Sequence, residues 1–155
     1  MRRSKPEKRV ILPDTRYNSM HLQTLVQHVL KRGKKSTATS LIYEAMDMIK
    51  ERTQKNPIEV FDSALRNVSP AMEVRPRRVG GATYQVPMEV STGRRTTLAI
   101  RWLLAAAQER AGRSFSDKLA SELIDASNET GAAIRKRDET HKMAEANRAF
   151  SHYRI

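Results

Sequence analysis

The sequence predicts a mainly α protein: a six-helix bundle with a two-stranded β-hairpin arm protruding between the third and fourth helices. Three observations carry that reading. Six segments place apolar residues at helical spacing, the last of them thinly. One segment, Arg75 to Val90, instead alternates apolar and polar residues beyond a Gly80-Gly81 turn. And with no cysteine in 155 residues, the fold must rest on an apolar core, not on disulfides or cysteine-bound zinc. That length and a hydrophobic content of 39% suit one domain, residues 1–155.

Residues 1–18 read as an irregular basic arm. Pro6 and Pro13 interrupt periodicity, and the cations before Val10-Ile11-Leu12 suit a flexible segment that orders on a polyanion. From about Ser19, Leu22, Leu25, Val26, Val29 and Leu30 fall on one helix face, and Gly33 supplies a stop. A second helix runs from Ser36 as N-cap through Leu41, Ile42, Ala45 and Ile49 to about Thr53. The third has Asn56 to cap it, Pro57 for its first turn and Glu59 in a capping-box position; Phe61, Ala64, Leu65 and Val68 form its buried stripe.

The hairpin arm, residues 72–90, follows Pro70. Tyr84, Val86, Met88 and Val90 alternate with polar neighbours, while Pro76 and Pro87 each remove a ladder donor, so the pair reads as an isolated ribbon. An isolated ribbon is only marginally stable in water and needs something to hold it. The fourth helix spans about Arg95 to Ala111, burying Leu98, Trp102, Ala105 and Ala106 with Ala99 and Leu103 beside them, and Gly112 ends it. Ser114 and Asp117 open the fifth, whose core residues are Leu119, Ala120, Leu123 and Ile124 and whose end lies near Thr130-Gly131. Residues 132–155 form a last helix and tail with a thin stripe of Ile134, Met143, Ala144, Ala146 and Phe150.

The formal charge is +12 and the sequence pI about 10.5. Residues 1–35 carry +8 and residues 71–101 carry +4, whereas 36–70 and 102–155 nearly balance. A solubilising surface would mix its signs; two concentrated blocks point to a directed face for a polyanion, nucleic acid or anionic membrane. No apolar run is long enough to span a membrane, and the basic start has no apolar stretch behind it, so the expected setting is the cytosol with no membrane partner.

Catalytic and small-molecule chemistry finds no foothold. Gly80-Gly81 lacks the surroundings of a nucleotide loop, and His21, His28, His141 and His152 have no metal-ligand spacing, so no enzyme, metal, cofactor or small-molecule substrate is expected. Asn67-Val68-Ser69 and Asn128-Glu129-Thr130 match a glycosylation sequon by chance. The loop Lys31 to Lys35 carries more cations than helix-end capping explains, and Arg94 and Arg101 extend the ribbon's basic surface along a helix. Arg135-Lys136-Arg137 reads equally well as a solvated face, because Asp138 and Glu139 follow it. Tyr84 and Trp102 offer stacking surfaces, but aromatics make up only 5% of the chain, too few for a single-strand platform. A shape-reading binder of folded RNA fits best, with DNA less favoured; a nucleic-acid chaperone and an enzyme on nucleic acid are the competing classes.

The run RVGGATYQVP from Arg78 to Pro87 resembles a known family. So do Glu73-Val74-Arg75 before it, Ala99-Ile100-Arg101-Trp102-Leu103 after it, Gly33-Lys34-Lys35-Ser36-Thr37-Ala38, and HKMAEANRAFSHYR from His141 to Arg154. Together they resemble the seventh protein of the small ribosomal subunit in its bacterial and organellar form, along nearly the whole chain. That family is similar in architecture: a helical bundle with a hairpin arm. The resemblance implies a structural ribosomal protein that binds the 3′ major, or head, domain of 16S-type rRNA as a primary binder and nucleates head assembly. By the same resemblance, Arg2, Arg3, Lys5, Lys8, Arg9, Lys34, Lys35, Ser36, Arg75, Arg77, Arg78, Arg94, Arg95 and Arg101 contact rRNA. Gly80, Gly81, Lys142, Asn147 and Arg148 approach the exit-site tRNA and the eleventh small-subunit protein, with the ninth as a further neighbour.

Overall fold

The computed structural model describes residue 4, residues 6–7 and residues 10–153. The five arm cations Arg2, Arg3, Lys5, Lys8 and Arg9 lie outside the described residues. The chain runs α1 (Met20–Val29), α2 (Lys35–Thr53), α3 (Pro57–Val68), β1 (Met72–Val79), β2 (Ala82–Glu89), α4 (Thr92–Glu109), α5 (Phe115–Ser127) and α6 (Ala132–Ala146), and closes with a 3-10 helix, Arg148–Tyr153. The architecture is thus mostly helical, with one antiparallel hairpin inserted between α3 and α4.

The core forms where the apolar faces of the helices meet. α5 packs against α2, α3 and α4, and Phe61, Ile42, Met46, Ile49, Ile100, Leu103, Leu119 and Leu123 are fully buried around it. Non-directional burial of such side chains contributes about 1.5–3 kcal/mol each relative to exposure, which is why periodicity alone forecasts most of these helices.

Local chemistry sets the helix starts. Ser19, Asn56 and Ser114 each accept a hydrogen bond from a first-turn backbone N–H, of Leu22, Ile58 and Asp117 respectively. Glu59 reaches the side-chain amide of Asn56 at 3.4 Å, tying the two side chains together across the first turn. Ser36 does not cap α2. The cap lies two residues earlier, at Lys34, because a tight turn through Arg32 (φ 52°) and Gly33 (φ 74°) bonds Lys34 N–H to Lys31 C=O and delivers the chain already helical. Gly33 therefore shapes this turn; α1 itself ends earlier, at Val29.

α4 also differs from expectation. It starts at Thr92 and buries Ala99, Ile100, Leu103, Leu104, Ala106 and Ala107, while Leu98 and Trp102 are only half-buried and Ala105 is exposed. The buried stripe is rotated by about one residue from the expected one. In α5, Ile124 is half-buried and Ala126 takes the deeper position. In α6, Ala133, Ile134 and Ala144 are buried, Ala146 is exposed and Met143 is 49% exposed, so Met143 is not core. The side-chain amide of Asn67, half of the first sequon, is spent on the carbonyls of Ala126 and Ser127.

Two segments are held by contacts distant in sequence. The N-terminal arm is fixed from Asp14, whose buried carboxylate accepts from Arg16 N–H, Tyr17 N–H and the Tyr43 hydroxyl. Arg16 then pairs with Asp47 on α2 and lies over the rings of Tyr17 and Tyr43. The hairpin is the expected two-stranded ribbon with no third strand beside it, and the protein itself holds its root. Val86 and Pro87 are buried at its root, the ring of Tyr84 meets Phe150 at 5.3 Å and Tyr153 at 5.1 Å, and Ala71 N–H donates to His141 Nε2 on α6. The C-terminal 3-10 helix and α6 thus clasp one half of the arm; its outer half, with Arg77, Arg78 and the turn, is largely exposed.

Candidate nucleic-acid interface

The hairpin ladder is continuous from Met72↔Glu89 to Val79↔Ala82, and the connecting Gly80 and Gly81 have φ of 58° and 87°. Such a pair of left-handed residues closes a two-residue turn with the strand twist that the ribbon needs, and glycine adopts it without strain. The register sets Arg75 opposite Val86, Arg77 opposite Tyr84 and Arg78 opposite Thr83. Since side chains alternate across a strand, Arg75 and Arg77 share one face of the ribbon and Arg78 takes the other.

At the root, charge is organised around Glu73. Its carboxylate is 7% exposed and accepts from the Nε–H of Arg75 and, through both oxygens, from the Nε–H of Arg94 on α4 at 2.9 and 2.8 Å. Burial alone would raise its pKa; the two guanidinium hydrogen bonds outweigh that and hold it below the ordinary glutamate value. Arg95 is held too, its Nε donating to Val90 C=O at 2.8 Å. Arg94, Arg95 and the ribbon arginine Arg75 are therefore brought together where the arm leaves the core.

Arg101 lies one heptad beyond Arg94 on α4 and is exposed, and Gln108, one heptad further, borders the same hollow as Lys31. These three positions share a helix face and span about 21 Å at the α-helical rise, linking the hairpin root to the Lys31–Lys35 loop. No acid occurs on α4 before Glu109. At the far end Lys31, Arg32, Lys34, Lys35 and Ser36 are all exposed, and Lys35 borders a groove beneath Val10 to Thr15 of the arm.

The helix N-termini differ in the charge they carry. A helix N-terminus carries partial positive charge and favours acids, by about 0.3–1 kcal/mol each. α3 and α5 obey, with Glu59 and Asp117 in their first turns, and α6 borrows Glu122 of α5, whose Oε1 accepts from Ala133 N–H at 3.0 Å. α2 and α4 do the opposite. Neither has a side-chain cap bond or a first-turn acid, and they carry Lys34 and Lys35, and Arg94 and Arg95, at their positive ends. Both helices forgo local stability and present cations at their N-termini, an arrangement that can hold an anion such as phosphate.

On the other side of the arm, Lys142 and Arg148 are exposed, while the Asn147 side chain is half-buried and donates to Met143 C=O. The stacking candidates are committed elsewhere: Tyr84 packs with Phe150 and Tyr153, and Trp102 lies half-buried against the core. Three further residues organise this surface without any sequence signal that marks them: Asp14, Glu73 and Glu122 are single acids whose partners lie elsewhere in the fold. Among the described residues no three His, Asp or Glu side chains gather as a metal site, and no helix is long and apolar enough to cross a membrane.

Comparison with known proteins agrees with this architecture along the chain. The small ribosomal subunit protein uS7 of Thermomicrobium roseum is 58% identical over 153 residues, spanning 99% of this chain and 98% of that one. Proteins of the same name from Arthrospira platensis and Pelotomaculum thermopropionicum are 56% and 58% identical with the same coverage. The family of ribosomal proteins S7p/S5e matches residues 1–148, from the basic arm through the hairpin to the end of α6. On that match, which takes in both cation-bearing helix starts and the clasped arm, the chain belongs to the ribosomal protein S7p/S5e family.

Proposed function

We propose that this chain is a primary binder of the head domain of 16S-type rRNA and nucleates assembly of that domain. Family membership makes it a structural, RNA-binding constituent of the small ribosomal subunit that serves translation and is not an enzyme. The observation that supports the finer reading is the inverted electrostatics of α2 and α4, whose positive ends carry cations on the surface that joins the hairpin root to the 31–35 loop. Lys34, Lys35, Ser36, Arg75, Arg77, Arg78, Arg94, Arg95 and Arg101, together with Arg2, Arg3, Lys5, Lys8 and Arg9 of the arm, make the rRNA contacts. The Gly80-Gly81 tip and the last helix, with Lys142, Asn147 and Arg148, approach the exit-site tRNA and the eleventh small-subunit protein, and the ninth is a further neighbour.

Binding of this kind is driven by release of counterions from phosphates and orients the protein more than it reads bases. The test is affinity for a head-domain rRNA fragment against an unrelated structured RNA of equal length at one salt concentration. The fragment is expected to win, and equal affinities would remove the proposal. Replacing Arg75, Arg77 and Arg78 with alanine should weaken binding and flatten the logarithmic salt slope by about 2–3, at roughly 0.7–0.9 for each phosphate no longer neutralised. Helix content should not change.

A further inference from the structure

We propose that Glu73 is a positioning residue that makes the hairpin root a preformed seat for phosphodiester oxygens, so that this acid strengthens RNA binding. The inference rests on the RNA-binding reading above and deepens it. An acid on a face for a polyanion should, by charge alone, be a defect. Glu73 is built in nonetheless: its side chain is 9% exposed, whereas those of Arg75 and Arg94 that it binds are each 45% exposed.

The way the arginines are held gives the reason. Glu73 takes the Nε–H of Arg75 and the Nε–H of Arg94, and Val90 C=O takes the Nε–H of Arg95. A guanidinium has five N–H donors in a rigid plane, so a bond through Nε fixes that plane and leaves the Nη donors to another acceptor. Phosphate oxygens match that fork in bidentate fashion. Three guanidinium groups anchored by their inner nitrogens at one junction form a seat whose side-chain freedom is already restricted before RNA arrives, which lowers the ordering cost of binding. Arg75 comes from β1 and Arg94 from α4, so the same carboxylate also sets the angle between the ribbon and the helix face.

The experiment compares Glu73→Gln with Glu89→Gln on the full chain, by equilibrium binding to the head-domain rRNA fragment at fixed salt. Glu89 is an exposed acid on the same hairpin, so both variants raise the net charge by one. Charge alone predicts that both bind more tightly. The seat predicts that Glu73→Gln binds about tenfold more weakly, a loss of the size expected when charge-assisted geometry goes, while Glu89→Gln binds as well as the parent or better. Glu73→Gln binding as tightly as the parent overturns the proposal. Should Glu73→Gln lose its melting transition, the double variant Arg75→Lys, Arg94→Lys decides. It keeps every charge and Glu73 but not the planar forks, and it should lose about tenfold in affinity; unchanged affinity overturns the proposal as well. A parent chain that fails to prefer the head-domain fragment over the unrelated RNA would refute the assigned partner, and the glutamine comparison on either RNA would still decide the seat.

Discussion

Gly131 carries the clearest single-residue constraint in the chain. Its φ is 99°, and a Cβ there would stand 2.9 Å from Oε1 of Glu122, a carboxylate 1% exposed and fixed by Arg110 and the Ala133 N–H. Neither the backbone nor that oxygen can yield cheaply, so Gly131→Ala should lower unfolding free energy by about 2 kcal/mol in urea denaturation. Gly80 and Gly81 differ, because a Cβ on either meets nothing within 4 Å and only backbone strain would be felt. Glu73 yields a pH prediction. Its folded-state pKa lies below the ordinary 4.5, so the unfolded chain binds the proton more readily and the contribution of Glu73 to stability is complete above about that value. As pH falls through the folded pKa the contribution is lost; the melting-temperature gap between parent and Glu73→Gln should be full at pH 7 and close under acid conditions. Neither acid is legible in sequence, since an isolated Glu reads as solvated until the fold supplies a partner 11 to 21 residues away.

Elements are legible where a local signal agrees with packing. Ser19, Asn56 and Ser114 cap the helices that their positions predict, and the Gly80-Gly81 turn fixes the ribbon register. The periodicity of α4 points one residue out of phase because Leu98 to Ala107 is apolar nearly all round, broken only by Arg101, and periodicity cannot choose a face there. The surrounding helices α1, α3, α5 and α6 choose it. The clasp on the hairpin is illegible for another reason: it joins Tyr84 to Phe150 and Tyr153 across more than sixty residues of sequence. Each aromatic pair contributes about 0.5–1.5 kcal/mol beyond area burial, so Phe150→Ala with Tyr153→Ala should raise hydrogen exchange in β2 about tenfold or more. Amides in α3 and α5 should keep their protection, and a global rise in exchange would show that the clasp supports the core instead.

For the whole molecule, the arm and the helical body divide the work. The hairpin leaves and returns at one place, with Val90 N–H bonded to Ala71 C=O at 3.0 Å. Replacing residues 72–89 by a short glycine-serine linker should therefore leave helical circular dichroism and a single cooperative melt, at a cost of about 2–3 kcal/mol for the missing burial of Val86 and its neighbours. The loss of RNA affinity should be far larger, because the cut removes Arg75, Arg77, Arg78 and the anchor of Arg94. At this scale the charge blocks and the Arg94–Arg101 face that extends the ribbon are readable from the sequence; the continuation of that face past Gln108 to Lys31 is not, because it depends on α1 packing beside α4.

The hydrogen bond between Ala71 and His141 offers a way to watch that division directly. Because the amide of Ala71 is the donor, Nε2 of His141 must present its lone pair, which marks that ring nitrogen among the four histidines of the chain. A nitrogen-15 resonance of that ring would then serve as a built-in gauge of the hairpin base, registering whether RNA at the arginines pulls the arm away from α6 or seats it more firmly, with no label attached to the arm itself.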